Sequence, residues 1–193
     1  MSEPFDKAQD KIIPAILARS VSELESKLSE IPEEVKLVHI DVLEEDIWTQ
    51  CDRDFEVHLM VQEPEKIMSK WVERGAKSLI LHTLGSEASK WRESVEIGLA
   101  VEIDVALEEV FLLIPQVDFV QLMSIAQIGA QGYPFDERIF DRIKEVKNKF
   151  PDMPLSVDGG INTTNYKALE DLGIEKLIVG SGFKDLWSRT KHL

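Results

Sequence analysis

The sequence predicts an α/β chain folded as one closed (β/α)8 barrel, the TIM-barrel architecture, and three observations predict it. Short apolar runs alternate with segments of helical period along nearly the whole length, the pattern of a parallel sheet with helical crossovers. Eight such runs are present, the number that closes a barrel. No Ser/Gly/Pro-rich linker divides the 193 residues, so a single domain over 1–193 with a substantial core is expected. A doubly wound open sheet is the alternative fold. The first run is followed by no GxGxxG, which counts against a dinucleotide site.

The elements follow in order. "KIIPAIL" (11–17) is the first strand, and "SVSELESKLSEI" after it is an amphipathic helix with Ser20 as its start signal. "VKLVHIDV" (35–42) and "FEVHLMV" (55–61) are the second and third strands. Barely a dozen residues separate them, the minimum for a parallel crossover, so the second helix is reduced to a turn or missing. "EPEKIMSKWVERG" then forms a helix begun by Pro64, and "SLILHTL" (78–84) the fourth strand. "LAVEIDV" (99–105) and "DFVQLMSI" (118–125) are strands five and six. The helix "DERIFDRIKEVKNKF", strand "PLSVDGGI" (154–161), helix "TTNYKALEDLG" and strand "KLIVGSG" (176–182) complete the pattern. Gly75 and Gly173 stand where helix C-caps belong. The remaining "FKDLWSRTKHL" leaves room only for a short terminal helix.

Composition narrows the function classes. A formal net charge of −14 argues against nucleic-acid binding, because phosphate backbones need clustered Lys and Arg. A small phosphorylated ligand stays possible, since backbone N–H groups at Gly-rich turns bind phosphate without a basic side chain. No apolar run is long enough to span a bilayer, and the acidic start "MSEPFDKAQD" lacks the apolar core of a signal peptide, so a cytoplasmic protein without membrane contact is expected. The single cysteine, Cys51, excludes an internal disulfide and fits a reducing compartment.

The polar residues inside the strands carry the chemical signal. In "KLVHIDVLEED" the apolar Leu37, Val38, Ile40 and Val42 are interrupted by His39 and Asp41, which share one strand face because residues i and i+2 point the same way. Burying both without partners is costly. His58 and His82 are expected late in strands three and four, and Asp158 at the end of strand seven, near the strand ends where barrel active sites are built. Two imidazoles and two carboxylates converging on one point make a suitable shell for a divalent transition metal, so His39, Asp41, His58 and Asp158 are the expected ligands. His82 reads as a contact to a ligand or substrate, or as plain core. The turns "VDGGI" and "VGSGF" bring Gly159, Gly160, Gly180 and Ser181 to the positions where such barrels bind phosphate.

At these residues the sequence resembles the ribulose-phosphate 3-epimerase family, at "IIPAIL", "HIDV", "VHLMV", "VQLMSI", "GAQGYPF", "SVDGGI" and "VGSGF". The resemblance implies that His39, Asp41, His58 and Asp158 hold one divalent metal ion, zinc, iron, manganese or cobalt. It implies that Asp41 and Asp158 are the acid/base pair that inverts a carbon beside a ketone through an enediolate, with the metal as Lewis acid. Met60 and Met123 match methionines of the family's substrate pocket, and Gly129, Gln131 and Gly132 fall in its Gly-rich lid after strand six. A homo-oligomer is implied as well.

The sequence also departs from the family. "LEEDIWTQ" follows "HIDV", with Leu43 in place of a pocket methionine. Ala15 replaces the serine after the first-strand proline, "IDVALEE" replaces an Asn-Pro-Gly-Thr-Pro type turn, and the lid is "AQIGAQG" (126–132). The metal set is whole, whereas walls and lid are altered. The expected activity is interconversion of D-ribulose 5-phosphate and D-xylulose 5-phosphate. The alternatives are epimerisation of another ketose phosphate, or a non-catalytic barrel that binds a sugar phosphate or metal.

Overall fold

The computed structural model describes residues 9–43, 46–85 and 88–190. Eight parallel strands close into a barrel in chain order: β1 (Ile12–Leu17), β2 (Leu37–Val42), β3 (Asp54–Leu59), β4 (Ser78–Leu81), β5 (Glu96–Val101), β6 (Phe119–Met123), β7 (Leu155–Asp158) and β8 (Lys176–Val179). Among the described residues seven α-helices accompany them: α1 (Val21–Ser29), α2 (Glu65–Glu73), α3 (Ala88–Trp91), α4 (Leu107–Val110), α5 (Ile139–Lys149), α6 (Tyr166–Asp171) and α7 (Phe183–Thr190). The barrel closes where Ile12, Ile13 and Pro14 pair with Leu177, Ile178 and Val179. The expected "MSEPFDKA" segment, Glu44 and Glu45 of the strand-two loop and the last three residues of the terminal helix lie outside the described residues. Among the described residues no helix is long and apolar enough to cross a membrane.

Local chemistry sets the boundaries. Ser20 Oγ accepts the Glu23 N–H at 3.2 Å, and Glu23 Oε2 accepts the Arg19 N–H at 2.8 Å, a reciprocal cap that starts α1. Gly75 and Gly173 end α2 and α6 in left-handed backbone, φ 93° and 72°. The β2–β3 crossover contains no helix among its described residues, as its length requires. Trp48 fills the space instead: it packs edge-on against the buried Trp71, 5.4 Å between ring centroids. The Arg74 guanidinium stacks over both indoles, 5.2 and 4.6 Å away, and binds Asp46 through Nη1 at 2.6 Å. Lys70 pairs with the same carboxylate. Trp187 lies buried on α7 and Trp91 half-buried on the core, so all four tryptophans pack against the barrel's outer layer.

One strand differs from the sequence expectation. β5 covers Glu96–Val101, earlier than the apolar run 99–105, and "EIDV" leaves the sheet. The cause is Gly98, which breaks the apolar pattern yet is needed inside the strand: a Cβ there would lie 2.4 Å from Cζ of Phe119. Phe119 thus occupies the space that a side chain on β5 would take. With Ile80, Ala100 and Met123 it forms a small apolar cluster separate from the main core of strand outer faces and helices. Beside that cluster the strands bury an unusual set of polar side chains, among them His39, Glu56, His58, Gln121, Ser156 and Asp158.

Candidate active site

Strand register builds the site. Asp41 pairs across β2–β3 with His58, and His39 with Glu56. On the other side of the barrel Met123 pairs with Asp158, and Gln121 with Ser156. Alternation stacks these residues in layers. His58 and Asp158 stand in the C-terminal halves of their strands, whereas His39 is the third residue of β2 and sits a layer deeper than Asp41. His82, expected within strand four, comes just after β4, which ends at Leu81.

One donor atom from each of His39, Asp41, His58 and Asp158 lies within 4.8 Å of the other three. His39 Nε2 and His58 Nδ1 each stand 3.4 Å from Asp41 Oδ1, and His58 Nδ1 stands 3.6 Å from Asp158 Oδ2. These separations are long for hydrogen bonds between buried groups. His39 Nε2 and Asp41 Oδ1 are buried and make no hydrogen bond. Two orphaned acceptor or donor atoms facing each other, ringed by a second imidazole and carboxylate, fit a divalent cation.

Each imidazole is held by its outer nitrogen. His39 Nδ1 lies 2.8 Å from Glu56 Oε1, and Glu56 Oε2 accepts from Lys176 Nζ at 2.6 Å. His58 Nε2 lies 2.9 Å from His82 Nε2, with the rings stacked at 5.0 Å, and His82 Nδ1 faces Glu102 Oε1 at 3.3 Å. Gln121 Nε2 donates to Asp158 Oδ2 at 3.2 Å. Burial opposes an imidazolium at His39, but the carboxylates of Asp41 and Glu56 outweigh it and raise its pKa to about 10. Burial likewise opposes charge on His58, whose pKa is raised by Asp158 and Asp41. Burial works against the Asp41 carboxylate, yet His39 and His58 hold its pKa well below the usual range. Burial, then repulsion from His58, lower His82 to about 4.

Above this shell opens a cavity of about 200 Å³. Asp41, Met60, Met123 and Asp158 line its inner part, and Gly129, Gln131 and Gly132 its lid. Gly159, Gly160, Gly180 and Ser181 line it from the turns after β7 and β8. His39 and His58 lie fully buried beneath, and His82 is absent from the lining, behind His58. The lid reaches across to the first strand, where Gln131 Nε2 donates to the Ala15 carbonyl at 3.1 Å. The β7 turn is pinned from both sides: Ser124 Oγ donates to the Gly159 carbonyl at 2.5 Å, while Asn162 and Asn165 donate to that of Gly160 at 3.0 and 3.1 Å. Gly160 adopts φ 65°, and a Cβ on it would meet the Phe135 backbone at 2.6 Å.

Sequence reasoning missed Glu56, Gln121, Ser124 and Lys176. Glu56 carried a usable signal, since it stands two residues before His58 on the same strand face, as His39 stands before Asp41. Gln121 bears the same relation to Met123. Lys176 had no such cue, because its partners come from β3 and depend on barrel closure.

Comparison with known proteins agrees with this architecture. The chain is 22% identical over 197 residues to "Ribulose-phosphate 3-epimerase" of Schizosaccharomyces pombe, covering 90% of this chain and 86% of that one. It is 24% identical over 212 residues to the protein of the same name from Bacillus subtilis, covering 95% and 96%. The Aquifex aeolicus protein of that name is 28% identical over 151 residues, 72% and 68% of the two chains. Among solved structures, a chain of the tryptophan synthase complex of Pyrococcus furiosus superposes with a TM-score of 0.70 at 11% identity, covering 94% and 96%, a likeness of fold alone. The ribulose-phosphate 3 epimerase family matches residues 11–184, nearly the whole barrel from β1 into α7, so this chain belongs to that family and is an isomerase of the epimerase type.

Proposed function

We propose that the chain interconverts D-ribulose 5-phosphate and D-xylulose 5-phosphate by two-base proton transfer at C3. One observation carries the reading: Asp41 and Asp158 enter the same cavity from β2 and β7 and meet both imidazoles within 4.8 Å. A barrel that only held a sugar phosphate would have no use for two carboxylates at this place. In this reading the carboxylate of Asp41, kept ionised by His39 and His58, and that of Asp158 work on opposite faces of C3. One takes the α-proton while the other returns a proton, and the roles reverse with direction. Gln121, donating to Asp158, orients that carboxylate. Met60 and Met123 supply a polarizable wall beside the sugar. The turns at Gly159–Gly160 and Gly180–Ser181 receive the phosphate.

His39, Asp41, His58 and Asp158 would hold a divalent metal, zinc, iron, manganese or cobalt. When bound, it supplies Lewis-acid stabilisation of the negative charge that develops on the enediolate oxygens. The test is deuterium incorporation at C3 of ribulose 5-phosphate in D2O by metal-loaded protein, followed by NMR together with xylulose 5-phosphate formation. Exchange accompanied by epimer supports the reading, and absence of both in metal-containing protein sinks it.

A second reading, epimerisation of another ketose phosphate, is favoured by a further cavity of about 510 Å³ that shares Asp41, Met60 and Gly129 with the first. Its outer wall is Ala18, Arg19, Leu24, Leu43 and Ile47. In this reading a longer sugar chain would extend toward that cavity, and comparing turnover of pentulose and hexulose phosphates separates the two readings.

A further inference from the structure

Glu56 is a carboxylate with no solvent exposure at all, and the chemistry above gives it no proton to move. A buried ion pair with Lys176 is weak ground for stability, because two apolar residues of similar volume serve a core as well. Its geometry points elsewhere. Both carboxylate oxygens are committed, Oε1 to His39 Nδ1 at 2.8 Å and Oε2 to Lys176 Nζ at 2.6 Å. Lys176 is fixed in turn, its ammonium 4.6 Å from the Phe119 ring centroid.

An ionised carboxylate only accepts, so the His39 nitrogen beside it must carry the proton. The lone pair of the neutral ring is then on Nε2. That atom faces Asp41 Oδ1 at 3.4 Å and is buried without a hydrogen bond. We infer that Glu56, oriented by Lys176, is a positioning residue that locks His39 in the Nδ1–H tautomer and turns Nε2 toward a divalent metal. The inference rests on the four-ligand reading above and adds to it the pair that holds the deepest ligand in place. A carboxylate behind a ligating imidazole raises its basicity and fixes its ring, and loss of such a partner typically weakens metal binding about 10- to 100-fold.

The test measures zinc affinity of the full chain by competition with a chromophoric chelator, with 15N-resolved imidazole NMR of the zinc-loaded protein. Glu56→Gln preserves shape, but its single carbonyl oxygen cannot serve both His39 Nδ1 and Lys176. The Lys176 side chain keeps 25% exposure, so its charge is not stranded. The double variant Glu56→Leu with Lys176→Met removes the pair without leaving either charge alone. Both variants should fold by circular dichroism and bind zinc at least about 10-fold more weakly. The slowly exchanging His39 Nδ1 proton of the wild type should be lost, and the visible absorption of the Co(II)-loaded form should change. A folded double variant with wild-type zinc affinity and an intact His39 Nδ1–H signal overturns the inference while sparing the metal site. A wild-type chain that binds neither Zn(II) nor Co(II) overturns both.

Discussion

His39 Nε2 and Asp41 Oδ1 face each other at 3.4 Å, two residues apart on one face of β2, buried and each without a hydrogen bond. Polar atoms in that state cost free energy in an isolated chain, and a shared ligand removes the cost. With the metal proposed above, the arrangement would couple stability, proton binding and metal binding at one point.

The first prediction concerns pH. In the metal-free chain the His39 pKa stands raised to about 10 by Asp41 and Glu56, against an ordinary value of 6.5. The stabilisation this provides is complete below pH 6.5 and is lost as pH rises through about 10. Zinc needs the neutral ring, so its contribution runs the opposite way. Melting temperature of chelator-treated protein should fall across this window, while the increment given by zinc should grow. With free zinc at roughly 1,000 times its Kd the increment is about 4 kcal/mol. A zinc increment that shrinks with rising pH would count against His39 as a ligand.

The second prediction separates catalysis from binding. Asp41→Asn and Asp158→Asn each remove one of the two bases proposed above, and either alone should lower kcat by roughly 10²- to 10⁴-fold. Met60→Leu, which changes a wall and no proton carrier, should shift KM more than kcat. If both asparagine variants kept wild-type turnover in metal-loaded form, the two-base reading would fail.

The fold was legible because eight apolar runs and the residues that start and cap the helices agree with one another, level by level. His39, Asp41, His58 and Asp158 could be singled out because polar residues inside strands stand out against apolar neighbours. What stayed hidden depends on closure. Lys176 meets Glu56 across 120 positions of sequence, and no local pattern announces that meeting. His82 looked like a strand residue because "SLILHTL" is apolar beyond Leu81, yet β4 stops there and His82 turns to stack on His58. Gly98 misled in the other direction, since a glycine reads as a break until Phe119 is known to fill its place.

That relationship gives the third prediction. Gly98→Ala forces a methyl to within 2.4 Å of the Phe119 ring inside the barrel. Phe119 is 5% exposed and has little room to move. Overpacking of this kind typically costs about 1–3 kcal/mol. The same substitution in a Phe119→Leu background should cost less, and a double-mutant cycle by urea unfolding measures the coupling. Equal costs in both backgrounds would show that the two side chains do not compete.

The fourth prediction uses two glycines of the turns after β7 and β8 that differ in what surrounds them. At Gly160 an added Cβ meets the Phe135 backbone at 2.6 Å, and φ is already 65°. Neither obstacle can yield, so Gly160→Ala should destabilise the chain by roughly 1–3 kcal/mol. At Gly180 the φ is ordinary, and the added Cβ meets only the Gln131 side chain, at 3.0 Å. Gln131 is an exposed lid residue whose amide reaches the Ala15 carbonyl. It can swing away at the expense of that bond, so Gly180→Ala should leave the melting temperature within a degree or two of wild type while raising KM for ribulose 5-phosphate. Gln131→Ala removes the obstacle, and in that background Gly180→Ala should have little further effect on KM. If Gly180→Ala raises KM equally with and without Gln131, the methyl acts on the phosphate directly and the lid is not its intermediary.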